Sequence, residues 1–167
     1  PDVKMTGNPT VAVRALRFKA RFNAIFSDRL EEALRTNVSR YISLVPPESN
    51  TFNMPRFFVN GYAASCLEVL DDYGVFTQVF APVAEIYETA EYKEYLSAAM
   101  NWMDEWYADG NLMEDELSLA VILWPLVAEE TDGVPVAERA AAVLDVQNRT
   151  ITIYEETAQK IIKFLEL

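Results

Sequence analysis

The stretch VAVRALRFKARFNAIF, residues 11–26, contains neither Gly nor Pro and consists largely of strong helix formers. Asn8-Pro9-Thr10 ahead of it reads as a helix start, so a helix is expected over 11–26. Ser27 and Asp28 then offer a cap for a second helix reaching about Leu44, and Pro46-Pro47 followed by Glu48-Ser49-Asn50 predicts a loop. Downstream the same signals recur. Asn53 and Pro55 open a helix expected to stop at Gly74, and Val75 to Glu88 reads as another, kinked at Pro82. Tyr95, Ala98, Ala99, Trp102 and Trp106 recur at helical spacing within 91–108, with Gly110 placed as the residue just past a helix end. A helix over 112–129 is interrupted by Pro125, and Asp132-Gly133 with Pro135 forms a turn before a helix over 137–147. Residues 150–154 are the one β-like stretch, too short to imply a sheet, and 158–165 closes as a short helix. The fold class expected is therefore all-α: a helical bundle with an extended N-terminal helical arm.

The chain of 167 residues is 51% hydrophobic, enough for a real core, with no internal repeat and no low-complexity segment. Its longest uncharged runs, 73–84 and 117–128, fall well short of the ~18 residues that span a bilayer. The first residues, Pro1-Asp2-Val3-Lys4, carry no basic-then-apolar leader, and no signal peptide is expected in them. Cys66 is the sole cysteine, which excludes an internal disulfide.

Missing residue types exclude much chemistry. With no histidine in the chain, Ser-His-Asp and Cys-His arrangements and the usual zinc and helical di-iron ligand sets are absent. Five glycines supply no phosphate-cradling loop. Glu85, Glu88, Glu91 and Glu94 are spaced to lie along one helix surface, but without nitrogen ligands they specify no metal and read as a solvated face. No catalytic residue, metal or cofactor is expected.

Charge is distributed unevenly along the chain. The net charge of −12 divides into +4 over residues 1–56 and −16 over the remainder. On a helix turning ~100° per residue, Arg14, Arg17 and Arg21 form one narrow stripe, with Val11, Ala15, Phe18 and Phe22 forming an apolar stripe beside it. Guanidinium groups in line suit successive backbone phosphates, while the apolar stripe suits a second protein surface; the same pattern equally suits an ordinary amphipathic helix docked on its own core with its arginines in water. A basic segment on an acidic body fits a protein that holds a polyanion on one side.

Several segments carry a resemblance. RFKARFNAIF (17–26), the Thr36-Asn37-Val38 patch, TFNMPRF (51–57), LDDYGVFTQ (70–78) and MNWMDEWYADGNLMEDELSLAVILW (100–124) resemble, in order and spacing, the major coat proteins of rod-shaped and filamentous archaeal viruses. The resemblance spans roughly 14–125. It implies a non-enzymatic structural protein of the virion, assembled in the host cytoplasm, whose helical N-terminal arm wraps double-stranded DNA held in the A form. The remaining helices would form a compact bundle, and dimers, of this chain or with a related coat protein, would stack into a helical particle, with or without envelope lipid. Carried onto this sequence, it implies that Arg14, Arg17, Lys19, Arg21, Arg29, Arg35 and Arg40 contact phosphates without reading base sequence, and that Val11, Phe18 and Phe22 face another subunit. The implied organisation is an arm over 1–50, a bundle over 51–130 and a C-terminal helical extension over 131–167 of unassigned role. A shorter stretch, Asp109-Gly110-Asn111-Leu112 through Leu119 with Val134-Pro135, is similar to the C-terminal helical domain of glutathione transferases. That alternative implies an all-α interaction module.

Overall fold

In the computed structural model, which describes residue 5, residues 7–128 and residues 133–166, helix α1 (Thr10–Phe22) begins directly after Pro9. It ends four residues earlier than expected, because Asn23 adopts the left-handed conformation (φ 46°) and the Ala24 N–H turns back to the Lys19 carbonyl at 3.1 Å. Helix α2 (Asp28–Ser43) starts at Ser27, which occupies the cap position in extended conformation but makes no side-chain cap bond; Asp28 and Glu31 supply negative charge in its first turn. Pro46-Pro47, expected in a loop, instead opens α3 (Pro47–Asn53), since proline suits the first helical position.

The expected single helix from Asn53 to Asp72 is split. A 3₁₀ turn over Pro55–Phe57 gives way to α4 (Ala63–Asp72), and the break lies at Gly61. Gly61 has φ +77°, and a Cβ there would lie 2.5 Å from Cδ1 of Tyr107, so both the backbone and the packed ring require glycine. The stop at Gly74 is as expected: its φ is +65°, and the Val75 N–H reaches the Leu70 carbonyl at 2.9 Å. The expected helix over 75–88 is also absent as one piece. It is replaced by the single turn α5 (Phe76–Val79) and a 3₁₀ turn over Ala81–Val83, because Pro82 ends the run.

Helix α6 (Ala90–Ala108) is capped by the Thr89 hydroxyl, which accepts from the Tyr92 N–H at 3.3 Å, and it ends at Gly110 with φ +84°. Helix α7 (Asp115–Ala128) runs through Pro125; the expected end at Glu129 and the turn residue Asp132 lie outside the described residues. Helix α8 (Val136–Gln147) follows Gly133 and Pro135, and α9 (Glu155–Leu165) closes the chain. Among the described residues the β-like stretch pairs with no strand. It begins in a turn closed by Thr150 and Ile151 on the Gln147 carbonyl and then lies against α3: the Thr152 N–H donates to the Pro47 carbonyl at 3.1 Å, and the Thr51 hydroxyl to the Thr152 carbonyl at 2.6 Å.

The described residues are thus all-helical, as expected. Helix α1 packs on α4 and α2, α4 on α6, and α7 on α9 and α8. A single apolar core extends from Met5 to Leu165. The first two helices do not extend away as a free arm: Ala12, Val13, Leu16 and Ala20 of α1 and Leu34, Val38, Tyr41 and Ile42 of α2 are buried in that common core. No helix among the described residues is long and apolar enough to cross a membrane.

Candidate nucleic-acid interface

Helix α1 buries its smaller side chains. Ala12, Val13, Leu16 and Ala20 occupy a sector of ~100° turned to the core, and the partner helix α4 begins Ala63-Ala64 and buries Ala63 and Cys66. Small residues on both helices permit a close approach. The bulky rings lie elsewhere. Phe18 and Phe22 are 42% and 62% exposed, with ring centroids 5.9 Å apart. Val11 and Ala15, read as part of the same stripe, are partly buried against the core.

Arg14, Arg17 and Arg21 share a sector of ~60° on α1, with Arg14 and Arg21 exposed and Arg17 half-buried. The Arg21 guanidinium lies 5.2 Å from the Phe22 ring and 5.4 Å from the Tyr62 ring, contacts that leave its charge in place. On α2, Arg29 and Arg40 are exposed and fall on the side opposite Leu34, Val38 and Tyr41. Among the described residues, none of these five arginines forms an ion pair with a carboxylate.

Lys19 and Arg35 are placed differently. Both converge on Glu31: Lys19 Nζ lies 3.1 Å from Oε2, and Arg35 Nε 2.7 Å from Oε1. Tyr73 Oη donates to Glu31 Oε1 at 2.7 Å, and Arg35 Nη2 reaches Asp72 Oδ2 at 2.7 Å. Burial pushes the Glu31 carboxyl upward, but hydrogen bonds from Tyr73 and Lys19 and the charges of Lys19 and Arg35 outweigh it and hold the group below its ordinary value. The cluster ties α1, α2 and the end of α4 together, so two of the seven basic residues singled out in the sequence have compensated charge. Glu31 and Arg35 are an i, i+4 pair within α2, whereas Lys19–Glu31 and Arg35–Asp72 join residues 12 and 37 positions apart, which sequence spacing does not locate.

Asp104 is a residue that sequence reasoning missed. Its two carboxylate oxygens accept from the Ala63 and Ala64 N–H groups at 2.6 and 3.0 Å, so α6 caps the first turn of α4, the helix on which α1 rests. No local signal near residue 63 points to an acceptor 41 positions later.

The remaining chemistry is sparse. Cys66 is fully buried, and burial pushes its thiol up, away from the reactive thiolate. Glu85 and Glu88 lie in turns and only Glu91 and Glu94 in α6, so the four do not share one helix surface. Among the described residues no cluster of three or more acidic or thiol side chains is placed to hold a metal. Two open grooves, of about 520 and 670 Å³, are lined by Glu114, Asp115, Glu116 and Lys160 and by Tyr92, Tyr95 and Trp124 respectively.

No protein-family model matches the chain, and no curated protein matches it.

Proposed function

We propose that this chain is a structural coat protein that packages double-stranded DNA in a helical virion, of the kind found in rod-shaped and filamentous archaeal viruses. The observation that supports this reading is the set of five arginines on α1 and α2, four exposed and Arg17 half-buried, none with a carboxylate partner among the described residues of a chain with 26 acidic residues. Keeping guanidinium groups unpaired beside such an excess of carboxylate serves an external polyanion. Because α1 and α2 rest on the body, the duplex lies against their outer faces instead of being encircled by a free arm. Lys19 and Arg35 hold the two helices in register, and Arg14, Arg17, Arg21, Arg29 and Arg40 contact phosphates without base readout. Subunits meet through Phe18 and Phe22. The acidic remainder faces outward and repels wrongly placed DNA. Mixing the chain with linear duplexes of unrelated sequence at low salt and viewing them by electron microscopy tests the reading. Regular filaments whose length follows that of the DNA are expected. Naked duplex, or binding confined to one sequence, would contradict it.

A further inference from the structure

Helix α1 presents its bulky rings outward and buries its smaller side chains, the reverse of what an isolated domain requires. Helix α6 carries a matching feature. Trp102 and Trp106 are 45% and 41% exposed, one turn apart like Phe18 and Phe22, with ring centroids at 5.6 Å. The charges flanking the two ring pairs are opposite. Arg14 and Arg21 border the phenylalanines, while Glu105, and Asp109 at the cap just past the end of α6, lie in the same ~100° sector as the tryptophans, and all four charged residues are exposed.

We propose that the Phe18–Phe22 face of one copy docks on the Trp102–Trp106 face of a second copy, with Arg14 and Arg21 opposite Glu105 and Asp109. Each face is one helix stripe with an i, i+4 aromatic pair, so the rings interleave while the charges fix register and polarity. The contact joins two different surfaces of the same chain. Such a head-to-tail interface leaves one free face at each end and propagates into an open array unless the rotation closes a ring. The proposal rests on the self-assembling part of the coat reading and supplies the counter-surface that Phe18 and Phe22 require. It is a contact of the DNA-free chain: the coat reading gives Arg14 and Arg21 to phosphates, so a bound duplex displaces Glu105 and Asp109 from them and leaves the two ring pairs as the contact.

Sedimentation of the full chain without DNA at low salt separates the possibilities. Wild type is expected to form concentration-dependent oligomers that shorten as salt rises. Phe18→Ser/Phe22→Ser and Trp102→Ser/Trp106→Ser remove rings that are 41–62% exposed, and circular dichroism verifies that each variant folds. Each double variant alone is expected to be monomeric, with self-association weakened at least about tenfold, as for truncated aromatic anchors. Mixed together they should form a 1:1 heterodimer and nothing larger, since each retains the face that the other lacks. Charge variants that spare the rings give a second route: Glu105→Arg/Asp109→Arg should weaken association, and a partner carrying Arg14→Glu/Arg21→Glu should restore it. A Trp variant that associates like wild type, or a mixture of the two ring variants that stays monomeric, overturns the pairing. A monomeric wild type that still binds DNA with a steep salt dependence overturns the pairing while leaving the DNA reading intact.

Discussion

The Tyr95 hydroxyl donates to the Val121 carbonyl at 2.7 Å, and that carbonyl is the acceptor left without its helical donor by Pro125. One turn earlier, Tyr92 Oη donates to the Ile122 carbonyl at 3.0 Å. Two tyrosines at i, i+3 on α6 therefore satisfy the backbone that the proline disturbs, which is how α7 continues through Pro125. Burial pushes the Tyr95 hydroxyl up to about 12, so it stays a donor across the working pH range.

Tyr95→Phe leaves the Val121 carbonyl unsatisfied and should lower unfolding free energy by about 1–2 kcal/mol. In a Pro125→Ala background, residue 125 regains its N–H and can serve Val121 itself, so the same change should cost less. A urea double-mutant cycle checks this; equal costs in both backgrounds would show that the hydroxyl does not substitute for the missing donor.

The Glu31 cluster makes stability pH-dependent with a definite sign. A carboxyl held below its ordinary value of 4.5 contributes stability that is present above the unfolded value and lost as pH falls through the lowered folded value. Glu31→Gln should therefore destabilise at neutral pH, by about 0.5–1 kcal/mol after solvent screening, and flatten the loss of stability below 4.5. Urea midpoints at pH 7 and at successive values below 4.5 measure both effects. A variant with an unchanged acid slope would remove Glu31 from the latch.

Gly61→Ala combines a positive-φ penalty with a clash against the Tyr107 ring, and a loss of about 1–3 kcal/mol is expected. Tyr107→Ala should recover the steric part only. Thermal melts of the two single variants and the double variant separate these contributions. Full recovery would mean that the backbone conformation at Gly61 carries no strain for alanine.

Long periodic segments were legible in the sequence because their signals are local: α1, α2 and α6 follow from capping residues, helix formers and apolar spacing, and the ends at Gly74 and Gly110 follow from glycine. The break between Asn53 and Ala63 was not, because it depends on distant partners: Tyr107 against Gly61, and Asp104 capping Ala63 and Ala64; the break after Val79 has a local signal in Pro82, which spacing reads only as a kink. For the candidate site, the basic stripe and the i, i+4 pair of Glu31 with Arg35 are legible from spacing, but the pairing of Lys19 with Glu31 and of Arg35 with Asp72 is not. The core-facing stripe of α1 was equally hidden, since bulk pointed to Phe18 and Phe22 whereas close helix approach favours Ala12 and Ala20.

DNA affinity as a function of salt, for wild type and for Arg14→Gln/Arg17→Gln/Arg21→Gln, tests the packaging role most directly. Each phosphate neutralised contributes about −0.9 to the slope of log affinity against log salt. The triple variant should lose up to about three contacts from that slope and weaken binding to every duplex alike. Glu85→Gln/Glu88→Gln, on exposed turn residues, should leave binding undiminished. A slope that stays at the wild-type value after all three arginines are removed would show that the α1 stripe does not hold phosphates and would contradict the proposed function.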